Sequence, residues 1–107
     1  MKKIEIYEPS MCCPTGLCGV SVDPELLRIS TVVDKLIKGN ISAVRYNLSS
    51  APMEFINNLD VNKKMGEHGV NILPITVVDD EIVLTGRYPS NDELIEFLDL
   101  SPEFFMD

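Results

Sequence analysis

Only two residues, Asp79 and Asp80, separate the apolar run Ile75–Val78 from the run Glu81–Thr85. A parallel crossover needs about a dozen residues, so a link this short forces the two runs into an antiparallel hairpin. Upstream of the hairpin, strand and helix signals alternate. Residues 3–7 place Ile4 and Ile6 between Lys3, Glu5 and Tyr7, which predicts a short strand ended by Glu8 and Pro9. Asp23-Pro24 predicts a helix start, because an Asp side chain accepts from a free backbone N–H and Pro fits the first helical position. Leu26, Ile29, Val33 and Leu36 recur at helical spacing, so the helix should run Pro24–Lys38, with Gly39 as a left-handed C-terminal cap. Residues 41–48 predict a second strand. Pro52 opens a weaker helical stretch with Met53, Phe55, Ile56 and Leu59; Asp60 is expected to cap a renewed helix over 61–68, closed by Gly69. Ser90 and Glu93 form a capping box for a last helix that turns Leu94, Ile95, Phe97 and Leu98 toward the sheet. Residues 101–107 read as a loose tail, with Phe104 or Phe105 as the residues that could pack it down.

The order is strand, helix, strand, helix, strand, strand, helix. Two parallel crossovers followed by a hairpin and a helix give an α/β, thioredoxin-like arrangement, a four-stranded mixed sheet flanked by helices on both faces. One domain over residues 1–107 is expected, with about 101–107 as its tail. Pro74 directly precedes the strand Ile75–Val78, where thioredoxin-like proteins place a cis-proline, so a cis Leu73–Pro74 bond is predicted.

Charge narrows the function. Nine Lys and Arg against 17 Asp and Glu give a formal net charge of -8. An electrostatic grip on nucleic-acid phosphates or an anionic membrane is not expected from such a chain. No stretch approaches the roughly 20 apolar residues of a membrane span, so no membrane insertion is expected. The first nine residues carry no apolar signal core, and the expected location is cytoplasmic. The three cysteines, Cys12, Cys13 and Cys18, are odd in number and clustered, unlike a disulfide scaffold; reduced thiols fit better.

Those cysteines lie in a Gly- and Pro-rich loop over 10–22, at the carboxyl end of the first strand, where open α/β sheets place their sites. An adjacent pair followed by a third cysteine five positions on is the wrong spacing for a Cys-x-x-Cys redox couple, which makes a thiol-disulfide oxidoreductase the weakest reading. Three thiolates suit a soft ion. Zinc prefers a fourth ligand. The one histidine, His68, sits in a different predicted helix, where a solvated residue near the C-terminus accounts for it. Trivalent arsenic and antimony carry an active lone pair and take three sulfurs in a pyramid, with no fourth ligand. Buried, inert thiols are the structural alternative, and a Gly/Pro-rich loop is a poor place for three core residues. Gly16 and Gly19 would permit the tight turns that bring the sulfurs inward, and Pro14 would shape the same loop. Met11 is read as packing at the loop base rather than as a ligand.

The run Pro9-x-Met11-Cys12-Cys13-x-Thr15-Gly16-x-Cys18-Gly19 resembles the arsenical-resistance metallochaperone family, also described as arsenic-operon trans-acting repressors (ArsD). The resemblance continues through Asp23, Asn47-Leu48, Pro52-Met53-x-Phe55, Leu73-Pro74 and Gly86-Arg87-Tyr88-Pro89. It implies a carrier, not an enzyme, that captures As(III) or Sb(III) through Cys12, Cys13 and Cys18 as cargo, without an organic cofactor. The partner it implies is the ATPase of an arsenite efflux pump. It also implies an alternative role as a metalloid-responsive repressor binding operator DNA, although the sequence has no basic recognition helix. A homodimer is the expected assembly. Arg87 and Tyr88 read either as a surface turn with a half-packed tyrosine or as a partner-docking point.

Overall fold

The computed structural model describes residues 2–9 and 24–105. In chain order the elements are β1 (Lys3–Glu8), α1 (Pro24–Lys38), β2 (Ser42–Asn47), α2 (Pro52–Asn57), α3 (Leu59–His68), a 3-10 turn (Val70–Ile72), β3 (Ile75–Val78), β4 (Glu81–Thr85) and α4 (Asn91–Leu98). The sheet order is β2-β1-β3-β4, with β1 parallel to β2 and antiparallel to β3. β3 and β4 form the antiparallel hairpin that its two-residue link demands. Both link residues adopt left-handed backbone, φ 51° at Asp79 and 70° at Asp80, as a turn that matches strand twist requires. The architecture is thioredoxin-like α/β, a mixed four-stranded sheet flanked by helices.

Strand alternation divides the core between two faces. Ile4, Ile6, Ala43 and Val78 pack with Ile29, Val32, Val33 and Leu36 of α1 and Leu94 and Leu98 of α4. On the other face Tyr7, Ile75 and Val77 pack with Phe55 of α2, Val61 of α3 and Leu73. Tyr7 meets Phe55 edge-on, with ring centroids 5.2 Å apart. Each fully buried Ile, Leu or Phe contributes roughly 1.5–3 kcal/mol, so these two clusters dominate the fold's stability.

Several sequence expectations change in detail. Only the first crossover is parallel. The connection from β2 breaks at Asn58 and returns the chain to the end of the sheet it left, so β3 enters antiparallel to β1, with Ile75 opposite Tyr7. The cap at that break is Asn58, whose side chain accepts from Val61 N at 3.2 Å, and not Asp60. Starting two residues earlier places Val61 fully inside. Of the apolar residues on α2 only Phe55 is buried; Met53, Ile56 and the adjoining Leu59 are exposed. After α1 the left-handed residue is Asn40, φ 65°, rather than Gly39. Gly39 serves close approach instead: a Cβ there would stand 2.9 Å from Phe104 Cζ. Phe104 and Phe105 both pack against the α1/α4 core, so the tail up to residue 105 is tied down rather than loose. Glu8, read as a strand terminator, is the last residue of β1 and is buried. The capping box on α4 and the cis Leu73–Pro74 bond are both present.

Candidate functional site at the carboxyl end of the first strand

The chain leaves β1 at Glu8-Pro9 and re-enters the described structure at Pro24, the first residue of α1. Cys12, Cys13 and Cys18 lie between these points, outside the described residues. So do Met11, Pro14, Thr15, Gly16, Gly19 and the Asp23 helix start. What the structure describes is the frame from which that segment departs and to which it returns.

Alternation along β1 sends Glu8 to the same face as Ile4 and Ile6, and along β2 it sends Arg45 to the same face as Ala43. The two charges meet there: Arg45 Nε donates to Glu8 Oε1 at 2.7 Å. Glu8 is 1% exposed and the Arg45 side chain 11%. Burial pushes the Glu8 carboxyl above its usual range, and the Arg45 guanidinium pulls against that rise. Tyr88 packs against the same α1/α4 core and interacts electrostatically with the pair. Burial raises its phenol, and the neighbouring Glu8 carboxylate adds to the rise. Its hydroxyl is buried and has no hydrogen-bond partner among the described residues. The fully buried Thr76 hydroxyl, on the strand beside β1, is likewise unpartnered among them.

The other side of the frame is α1. Arg28 Nη2 donates to the Pro89 carbonyl at 2.9 Å, and Nη1 to Asn91 Oδ1 at 3.1 Å. The same guanidinium spans Glu25 with two bonds of 3.0 Å. Glu25, Arg28, Tyr88, Ser90 and Asn91 line a shallow cleft of about 240 Å³. The turn over 86–91 is itself well fixed. Gly86 adopts φ 86°, and its N–H serves the carbonyls of Ile72 and Pro74 at 2.8 and 3.0 Å. Arg87 binds the Glu93 carboxylate with both terminal nitrogens, at 2.6 and 2.9 Å. With the Ser90 N–H at 2.9 Å, these donors hold the Glu93 carboxyl down at about 2. Arg87 is therefore engaged within its own turn, and Tyr88 is half-buried.

His68 is exposed in the last turn of α3. Among the described residues no group of three His, Cys, Asp or Glu side chains is arranged to hold a metal ion. No helix of the described chain is long and apolar enough to cross a membrane. Sequence reading missed Glu8, Arg28 and Arg45. The signal for two of them was available: Glu8 and Arg45 continue the inward alternation of Ile4-Ile6 and Ala43, on neighbouring strands, with opposite charge.

Comparison with known proteins extends over the same frame. A family model described as "Arsenical resistance operon protein ArsD" matches residues 1–105. A protein of Escherichia coli named "Arsenical resistance operon trans-acting repressor ArsD" is 39% identical over 94 residues, covering 88% of this chain and 78% of its own length. A Halobacterium salinarum protein named "Putative arsenical resistance operon repressor ArsD" is 38% identical over 104 residues, 96% of each chain. The crystal structure of an arsenical resistance operon trans-acting repressor from Bacteroides vulgatus superposes with a TM-score of 0.84 at 46% identity, covering 91% of this chain and 92% of that one. With a match along nearly its whole length and a shared fold, the chain belongs to the ArsD family of arsenical resistance operon proteins.

Proposed function

We propose that this protein is a carrier for As(III) and Sb(III), binding the metalloid through Cys12, Cys13 and Cys18 and delivering it to the ATPase of an arsenite efflux pump. The observation that carries the reading is the spacing of the three cysteines, an adjacent pair and a third five residues on, in a chain of the ArsD family. Trivalent arsenic takes three sulfurs and needs no fourth ligand, so the trio is a complete donor set of the soft type. Capture balances without an external base: each thiol proton leaves with one hydroxyl of arsenous acid as water, and three As–S bonds replace three As–O bonds. The formal charge of -8 disfavours free thiolates, so metalloid binding itself drives deprotonation. Delivery proceeds by stepwise exchange. An incoming partner thiolate replaces one As–S bond while the other two hold the ion.

The test is arsenic-edge X-ray absorption on reduced protein titrated with arsenite, which reads stoichiometry and sulfur count together. Three sulfurs at one arsenic per chain are expected. Replacement of Cys12, Cys13 or Cys18 by Ser should each abolish three-sulfur binding and stimulation of the pump ATPase while leaving the fold intact. Wild-type transfer by any one of these variants would sink the three-ligand mechanism.

A second reading rests on the names of the relatives, which are called trans-acting repressors. In that role the chain would bind operator DNA and release it when metalloid binds. A sequence pI near 4.5 weighs against a strong phosphate contribution. Quantitative binding to the cognate promoter decides the matter: no sequence-specific shift at physiological salt and micromolar protein removes the repressor reading.

A further inference from the structure

We propose that the outer edge of β2 is the surface through which two copies of this chain pair, antiparallel about a two-fold axis, so that their sheets join into one. The inference stands apart from the three-cysteine reading and gives the expected homodimer a face.

The sheet order β2-β1-β3-β4 leaves two edge strands, β2 and β4. An edge strand is a template for pairing with another chain unless something blunts it. β4 is blunted. Its register with β3 shifts between Thr76 and Val77, whose partners are Leu84 and Ile82, so Val83 is an extra residue on the outer strand. A bulge of this kind bends an edge away from further pairing. Asp79, Asp80 and Glu81 add three carboxylates where β4 begins. β2 lacks both devices. Its register with β1 is regular over all six residues, Ser42–Asn47. Its one charged side chain, Arg45, turns inward to Glu8 and is only 11% exposed. Residues 39–53 hold no other charged residue, in a chain with 9 basic and 17 acidic ones.

Exposed apolar surface gathers at the same edge. Among the described residues six large apolar side chains are exposed, and four of them lie on β2 or on the two helices packed against it: Ile37 of α1, Val44 of β2, and Met53 and Ile56 of α2. Ala43 faces the α1 core while Val44, by alternation, faces the α2 side, so the two helices flank β2 from opposite faces. A two-fold axis beside Val44 sets this side chain against its own copy, a β-branched pair of the kind that stabilises antiparallel strands. It also brings the copies of α1 together on one face and those of α2 on the other. Charge selects the occupant. Two chains of net charge -8 repel, and they can approach closely only where neither presents outward charge. The β2 edge meets that condition on both sides at once, since an isologous contact uses the same residues twice. Glu5 on β1 and Glu54 on α2 leave a residual repulsion between the copies that salt screens.

The experiment uses the reduced full chain, free of arsenite. Sedimentation velocity from about 1 to about 500 μM protein measures association, and backbone hydrogen exchange at both ends of that range locates it. One short strand from each copy makes a small, reversible contact, so a dimer that dissociates in the micromolar range is expected. Amides of Ser42–Asn47 should gain protection as concentration rises, and those of Glu81–Thr85 should not. Val44→Lys places a charge at an exposed position of the β2 edge. It should weaken the dimer by roughly tenfold or more, with the thermal midpoint of dilute protein unchanged. Thr85→Lys, exposed on the β4 edge, should associate as wild type does. Raising salt should strengthen the wild-type dimer. A monomer throughout the range would overturn the proposal. So would a dimer that Val44→Lys leaves intact, or one whose protection appears on β4 or on helices alone. Protection of β2 only after another protein is added to a monomer would assign the edge to a different occupant and overturn pairing with a second copy.

Discussion

At the scale of single residues, the buried pair Glu8–Arg45 carries the largest stakes in the frame. A buried carboxylate beside a guanidinium gains Coulomb energy but loses hydration, and removing one partner strands the charge of the other in a low-dielectric setting. Replacing Glu8 by Leu or Arg45 by Met should therefore each cost about 3 kcal/mol, while the double replacement should cost clearly less than the sum. Denaturant unfolding of the three variants measures this, and additive losses would show that the two groups act independently. The sequence held this pair in plain alternation, yet a charged residue before a proline reads as the end of a strand, so Glu8 was expected to stop β1 rather than to close it. Gly39 and Asn40 teach the complementary lesson. Both residue types accept a left-handed cap, and local chemistry does not choose between them. What Phe104, 65 residues away, explains is the glycine itself: its ring occupies the space a side chain at position 39 would need.

At the scale of elements, the capping box of α4 was legible in the sequence and depends on an ionised carboxyl. The box on α4 pairs Ser90 Oγ with Glu93 N at 3.1 Å and Glu93 Oε1 with Ser90 N at 2.9 Å. Arg87 first, and the cap second, lower the Glu93 carboxyl from 4.5 to about 2. A depressed carboxyl contributes stability that is present above the unfolded value and fades as pH falls through the folded one. The difference in thermal midpoint between wild type and Glu93→Gln should therefore be full above pH 4.5 and vanish by about pH 2. A constant difference across that range would remove the ionised cap as its source. Ser90→Ala should cost about 1 kcal/mol at neutral pH, the usual value of an N-cap side chain. The break between α2 and α3 was legible as a break but not in register. Asn58 and Asp60 are both competent caps, and burial of Val61 selected the first. The reversal of the second crossover follows from the same break, which strand and helix order alone does not reveal. The cysteine segment divides differently: the donor set proposed for it rests on the sequence, whereas the Arg28 bonds to Pro89 and Asn91 beside it join residues far apart in sequence, and no local pattern announces them.

At the scale of the whole molecule, the three tyrosines report on integrity together. Tyr7, Tyr46 and Tyr88 all have phenols raised above 10.0, each chiefly by burial, with Tyr7 pushed up to about 12. A group whose folded value lies above its unfolded one stabilises the fold below the unfolded value and loses that contribution as pH rises through the folded one. Native protein should therefore show little phenolate absorbance at pH 10, and between 10 and 12 phenolate should appear together with loss of secondary structure. Normal titration of one phenol near 10 in folded protein would place that ring in water. Finally, the ties around the cysteine segment bear on portability. The exit from β1 leans on Arg45 and Tyr88, and the entry to α1 leans on Pro89 and Asn91. A fragment cut after α1 would keep every cysteine and lose all four of these supports. On the proposed reading, the three-cysteine motif is not expected to work as a cassette grafted by copying its residues into another loop. On that reading the first twenty residues are expected to work only together with the last twenty, which hold Tyr88, Pro89 and Asn91.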